Sequence, residues 1–165
     1  MKTQLLFFVL LFAFNLATAQ TDTSALYFKY PNVPPFTITK VPDSTKFAKA
    51  DLVKNKAVLI MVFSPDCDHC KHEIKEITQH IELFENIQIV MASSLDFQLI
   101  KTFYETYKIA DYPNITMCRD YSYFLGNFFK IRFFPAIFLY DKKGNFVKTF
   151  DGSVPVQKIV DALKG

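Results

Sequence analysis

Ala57-Val58-Leu59-Ile60-Met61-Val62-Phe63-Ser64-Pro65-Asp66-Cys67-Asp68-His69-Cys70 is the stretch whose reading decides the fold. It opens with a continuous apolar run, rich in β-branched side chains, that stops at Ser-Pro-Asp. A run of that length bounded by turn residues predicts a central strand buried on both faces. Beyond it Ile74, Ile77, Ile81 and Phe84 recur at intervals of three and four, with Lys71, Lys75 and Glu82 between them. That period predicts an amphipathic helix beginning around Asp66 or Cys67. Cys67 and Cys70 therefore stand where a buried strand turns into a helix.

The location explains how such a pair works. Two cysteines three apart on a helix share a face and lie close enough to form a disulfide. At a helix N-terminus, free N–H groups and the macrodipole favour a thiolate, the attacking species in disulfide exchange. Cys67 is the candidate nucleophile and Cys70 the resolving thiol. Asp68 and His69 are the candidate tuning residues and act in opposite senses: a cationic imidazole stabilises the Cys67 thiolate and a carboxylate opposes it. Read alone, the pair also fits an inert disulfide or half of a metal site. A zinc site needs four ligands and a second Cys pair is missing, so no metal is assigned. Lys71 follows Cys70, so the haem-attachment pattern Cys-x-x-Cys-His is absent. His72 and His80 read as helix-face residues and Cys118 as a buried thiol, with a resolving or regulatory role as its alternative.

Working outward, Ile87 to Ala92 reads as a second buried strand. Asp96 opens another helix to about Lys108, capped by Asp96 or Ser94. Tyr112 to Cys118 reads as extended and Tyr121 to Phe129 as a helical turn or two. Ala136 to Tyr140 is a third apolar strand. Asp141-Lys142-Lys143-Gly144-Asn145 turns it into Phe146 to Asp151, and Val154 to Leu163 closes the chain as a helix capped by Ser153. Upstream, prolines at 31, 34, 35 and 42 exclude a helix, leaving a short strand at Phe36 to Val41 and one helical turn in Lys46 to Leu52. Alternating strands and helices with a terminal hairpin predict an α/β fold, a central mixed sheet flanked by helices.

The bulk composition bounds the rest. A chain of 165 residues holds one well-cored domain, and half of it is apolar, with 19 Phe and no Trp. A net charge of +3 without a basic run makes nucleic acid a poor partner. Lys2, the apolar Leu5 to Leu16 and Ala17-Thr18-Ala19 have the layout of a secretory signal peptide cleaved after Ala19. The expected layout is a signal peptide at 1–19, an extended lead-in at 20–45 and a domain at 46–165. No later apolar run spans a bilayer, so the mature chain is expected to carry no membrane insertion. Export places three cysteines where disulfides persist, and one close pair plus one leftover thiol points to redox chemistry.

With these residues in view, the chain resembles the thioredoxin superfamily. Besides the Cys pair, Ile131-Arg132-Phe133-Phe134-Pro135-Ala136-Ile137-Phe138-Leu139-Tyr140, the following Asp-Lys-Lys-Gly turn and Gly152 are similar to the family segment in which a cis-proline precedes a central strand and a hairpin. A proline opening a strand is ordinarily trans. The resemblance implies instead that Pro135 is cis and packs beside the Cys pair, and that the Phe134 backbone binds a substrate strand. The separation of Cys70 from Pro135 exceeds that of a bare thioredoxin. An insertion at about Ser93 to Gly126, before the cis-Pro strand, resembles the TlpA/ResA-like branch of exported thiol-disulfide oxidoreductases (redoxins). The sequence departs from family pattern at three places. Asp66 stands where many relatives carry Trp. Met61 stands where thioredoxin has a buried Asp. Asp68-His69 replaces Gly-Pro.

The resemblance implies a secreted, most plainly periplasmic, enzyme that exchanges disulfides with protein thiols or disulfides and is served by a membrane-linked redox partner. It needs no cofactor beyond its own dithiol, since no nucleotide or flavin fingerprint is present. The rival readings are a soft-metal carrier holding Cu(I) through Cys67 and Cys70 and a peroxiredoxin-like peroxide reductase. Against the latter, Ser64 stands where Thr-x-x-Cys requires Thr.

Overall fold

A computed structural model describes residues 25–164. The expected signal peptide lies outside the described residues. Seven strands form one mixed sheet: β1 (Thr37–Lys40), β2 (Lys46–Ala48), β3 (Ala57–Val62), β4 (Ile87–Ser93), β5 (Ile115–Arg119), β6 (Ala136–Tyr140) and β7 (Phe146–Asp151). Their spatial order is β2-β1-β5-β4-β3-β6-β7. β3, β4 and β5 run parallel, and β1, β2, β6 and β7 complete the sheet through antiparallel pairings. Five α-helices accompany them among the described residues: α1 (Leu26–Lys29), α2 (Asp68–Gln79), α3 (Phe97–Thr106), α4 (Phe124–Phe129) and α5 (Val156–Lys164).

Every residue of β3 is buried. Leu59 and Met61 face one core, which also holds Ile74, Ile77, Ile100, Phe103 and Ile159 of α2, α3 and α5. Val58, Ile60 and Val62 face a second core under Tyr27, Leu125, Phe128 and Phe129. Helices on both faces are the reason the strand shows no polar alternation. Met61, Met91 and Met117 lie side by side across β3, β4 and β5. Unbranched methionines adapt their shape to the helix side chains packed over them.

The expected elements are found, with four local differences. The lead-in, expected to be extended, holds the short helix α1 at Leu26–Lys29, which ends just before Pro31, where the ring would break it. The apolar period through Ile81 and Phe84 does not prolong α2, which ends at Gln79 and is followed by a 3₁₀ turn at Ile81–Phe84. Lys46 to Leu52 is not one helical turn: Lys46–Ala48 pairs with β1 as β2, and only Lys49–Asp51 coils, as a 3₁₀ turn. The unpaired edge of β1 wins residues whose own preferences are weak. At the C-terminus, α5 starts at Val156, and Ser153 lies outside it. The Ser153 hydroxyl donates instead to the Glu73 carboxylate, Oγ···Oε2 2.6 Å. Asp96 caps α3 as expected, accepting from the Gln98 N–H at 2.8 Å.

Candidate active site

β3, β4 and β5 all end at one edge of the sheet, and the chain leaving β3 turns through Ser64-Pro65-Asp66 into α2 at that edge. Cys67 is the N-cap of α2, and its sulfur accepts the Cys70 N–H at 3.3 Å. The same sulfur donates its thiol hydrogen to the Phe134 carbonyl oxygen, Sγ···O 3.6 Å. Cys67 is half-buried, Cys70 is fully buried, and both are free thiols. Burial and the hydrogen bond with Cys67 push the Cys70 thiol well above the ordinary range, the Ser64 backbone opposes them, and the charges of Cys67 and Glu73 add to the rise. The pair is thus asymmetric: one sulfur at the surface on a helix N-terminus, one beneath it held as a neutral thiol.

Pro135 is buried and Phe134 is exposed, and the peptide bond between them is cis. The Pro135 carbonyl accepts the Gly152 N–H at 2.8 Å. Gly152 has φ +83°, a left-handed conformation that costs an L side chain about 1–2 kcal/mol. The loop before β6, carrying Phe134 and Pro135, therefore sits directly over Cys67, separated in sequence but fixed by the β3–β6 pairing.

The two tuning candidates both face solvent. The Asp68 side chain is 93% exposed and pairs with the Lys71 ammonium at 2.9 Å. That hydrogen bond and charge hold the Asp68 carboxyl below its usual range. Asp68 is thereby neutralised locally by a residue of its own helix turn. His69 is exposed on the first turn of α2.

One residue of the site carried no signal as a motif. Glu73 is 0% exposed on α2, one turn after Cys70. Its Oε2 accepts the Ser153 hydroxyl at 2.6 Å and the Val154 N–H at 2.9 Å, while Oε1 is buried without a hydrogen-bond partner. Desolvation raises its pKa, opposed by those two hydrogen bonds. Met61, where the related folds were expected to hold a buried acid, is apolar in this chain; α2 brings a carboxylate to the same core from the other side. The readable sign was an acid on the Cys70–Ile74–Ile77 face, where the helical period calls for an apolar residue.

Cys118, on β5, is fully buried, and burial pushes its thiol up to about 12. It lies on the second core, on the other face of the sheet from Cys70. Among the described residues no group of three or more His, Cys, Asp or Glu side chains is arranged to hold a metal ion, and no helix is long and apolar enough to cross a membrane.

Comparisons with known proteins agree with this geometry. No curated protein matches the sequence. Among solved structures, a secreted disulfide oxidoreductase of Mycobacterium tuberculosis, described as homologous to Escherichia coli DsbE, superposes with TM-score 0.66 at 17% identity, over 79% of this chain and 95% of that one. The pneumococcal exposed lipoprotein thioredoxin of Streptococcus pneumoniae gives 0.63 at 23% identity, over 79% and 98%. StoA from Bacillus subtilis gives 0.63 at 17% identity, over 80% and 98%. At these identities the likeness is one of fold, and at that level the resemblance to the TlpA/ResA-like branch holds. A family model described as a thioredoxin-like domain matches residues 44–165, most of the chain. With a surface thiol capping a helix, a buried partner thiol beneath it and a proline loop across them, the chain belongs to the thioredoxin-like domain family and is a thiol-disulfide oxidoreductase.

Proposed function

We propose that this enzyme works outside the cytoplasm, in the periplasm, exchanging disulfides with protein partners through the Cys67-Asp68-His69-Cys70 dithiol and returning its own disulfide or dithiol through a membrane-linked redox partner. The observation that carries the reading is the asymmetry of the two sulfurs: Cys67 at the surface against the Phe134 carbonyl, Cys70 fully buried below it. The signal-like segment at residues 1–19 supports export.

In the reductive direction the Cys67 thiolate attacks a partner disulfide. One S–S bond breaks, the leaving sulfur departs as a thiolate, and a mixed disulfide joins Cys67 to the partner. Cys70 then loses its proton and attacks Cys67, releasing the partner as a second thiolate and closing the Cys67–Cys70 disulfide. Two electrons have moved from the dithiol to the partner. The buried Cys70 opposes early loss of its proton, and Glu73, a buried carboxylate one turn further along α2, is the group assigned to receive it in the second step. The oxidative direction is the same sequence reversed. The exposed Phe134 backbone beside Pro135 offers the partner an edge to pair with, and the exposed Phe133 an apolar contact.

Trapping tests the proposal. Cys70→Ala is expected to accumulate mixed disulfides with envelope proteins through Cys67, and Cys67→Ser to form none and to lose exchange activity. Exchange that survives Cys67→Ser, or proceeds through Cys118, overturns the assignment. Failure of the tagged chain to leave the cytoplasm overturns the location alone.

A further inference from the structure

The sheet edge opposite the dithiol carries a second concave region. β3 starts there at Ala57 and runs toward Cys67, so the strand length, roughly 17 Å, separates the two ends. A cavity of about 460 Å³ lies at this far edge between the segment before β3 and the β6–β7 turn. Five lysines line it, Lys49, Lys54, Lys56, Lys142 and Lys143, and no acidic side chain does. Among the described residues none of the five forms an ion pair. Asp51, Glu82 and Glu85 line an adjoining cavity that shares Val53, Lys56 and Gln88 with this one. Asp141 accepts the Lys143 and Asn145 N–H groups, each at 2.8 Å, and Asp51 accepts the Ala48 N–H at 2.8 Å. Lys56 reaches only a backbone oxygen, that of Glu85 at 3.4 Å.

A second cavity, of about 430 Å³, shares Asn32, Val33 and Lys49 with the first. The rest of its wall is Leu26, Tyr30, Pro34, Pro35, Phe124 and Phe128. Leu26 and Tyr30 are 42% and 53% exposed, so this trough leaves apolar surface open to water. Both volumes fall within the range of about 300–1,000 Å³ usual for small-molecule sites. Clustered ammonium groups repel one another until an anion sits among them, and an open apolar wall gains free energy when an alkyl chain covers it. An inorganic anion satisfies only the first part of the surface, and a neutral hydrocarbon only the second.

We propose that the two cavities form one binding site for a single-chain anionic amphiphile, its carboxylate or phosphate head among the five lysines and its alkyl chain along Pro34, Pro35 and Phe128. The site is separate from the dithiol and does not depend on the redox reading.

Calorimetric titration of the full chain with dodecyl phosphate and with dodecanoate, each below its micelle concentration, tests this. One saturable site per chain is expected for both. Octyl phosphate, inorganic phosphate and the neutral dodecyl maltoside are each expected to bind weaker by about tenfold or more, since they lose four methylenes, the whole chain and the charge respectively. The double variant Lys54→Glu with Lys143→Glu is expected to lose about tenfold or more of the affinity for both anions. Leu26→Gln, which removes apolar wall without adding charge, is expected to weaken dodecyl phosphate while leaving inorganic phosphate unchanged. Both variants keep the wild-type rate of disulfide exchange, which reports that they are folded. Equal binding of inorganic and dodecyl phosphate, unsaturable binding of many molecules, or wild-type affinity in the double variant overturns the proposal. So does co-sedimentation with vesicles rich in anionic lipid without binding of the monomeric amphiphiles, an outcome that makes the lysines a membrane-adsorbing surface.

Discussion

Cys67 is the cysteine whose sulfur solvent reaches, and it sits on the N–H groups that open α2. Cys70 and Cys118 are fully enclosed, and burial raises both thiols. A thiol at about 12 is ionised to about one part in ten thousand at pH 8. Iodoacetamide at that pH is therefore expected to label Cys67 alone in the native reduced protein, and all three cysteines once it is unfolded; peptide mass mapping checks this. Early labelling of Cys70 would reverse the roles of nucleophile and resolving thiol. The Lys71–Asp68 pair makes a second prediction at this scale. Asp68 opposes a thiolate, but Lys71 holds its charge at 2.9 Å. Stabilising the thiolate makes the couple more oxidising. Lys71→Gln frees the carboxylate and removes a cation, so the potential is expected to fall. Asp68→Asn alone is expected to raise it only slightly, on the order of 10 mV or less, because the pair is exposed and screened. His69→Ala is expected to lower it. Glutathione equilibration of the three variants reads each sign.

α2 joins both halves of the chemistry. Its first turn presents Cys67 and its second buries Glu73 against the segment between β7 and α5. The same short segment reaches Pro135 through the Gly152 N–H. One connection thus holds the buried acid and the loop over the dithiol. The acid has a stability consequence whose sign follows from its raised pKa. The folded state binds the Glu73 proton more tightly than the unfolded chain does. Stability from this group is therefore complete below the ordinary glutamate range, near 4.5, and is lost as pH rises through the raised folded value. Glu73→Gln removes that dependence. Thermal unfolding from pH 4 to pH 8 is expected to show the variant gaining on the wild type as pH rises; a constant difference would mean the carboxylate is not desolvated in solution. Its resolving step is expected to slow, with mixed disulfides living longer, while first attack by Cys67 keeps its rate.

Across the whole molecule, the segment before β1 is part of the packed domain. Tyr27 and Val33 are buried in the second core, and residues 31–33 pair with the end of the β6–β7 hairpin through Val33 N–H to Gly144 O at 2.9 Å and Phe146 N–H to Pro31 O at 2.6 Å. Each fully buried side chain of this size contributes about 1.5–3 kcal/mol, so a chain starting at Phe36 is expected to lose about 3–6 kcal/mol of stability by urea unfolding. Unchanged stability would mark the lead-in as detachable. The truncation leaves the dithiol on the other face of the sheet, so native labelling of Cys67 is expected to persist wherever the chain still folds.

What the linear order of residues determined by itself is the β3–α2 junction, with its thiols, and the turn that joins β6 to β7. These are local, and hydrophobic period, turn chemistry and helix N-terminal dipoles are written over a few neighbouring positions. Tertiary structure alone decided two things. Lys46–Ala48 became a strand because the edge of β1 was free to pair with it. Ser153 left its expected capping role because Glu73, distant in sequence, offered a buried carboxylate. In each case the deciding partner is a side chain or strand edge whose position exists only after the sheet has closed and α2 has packed on it, and for a polar group the partner it finds outweighs its intrinsic preference.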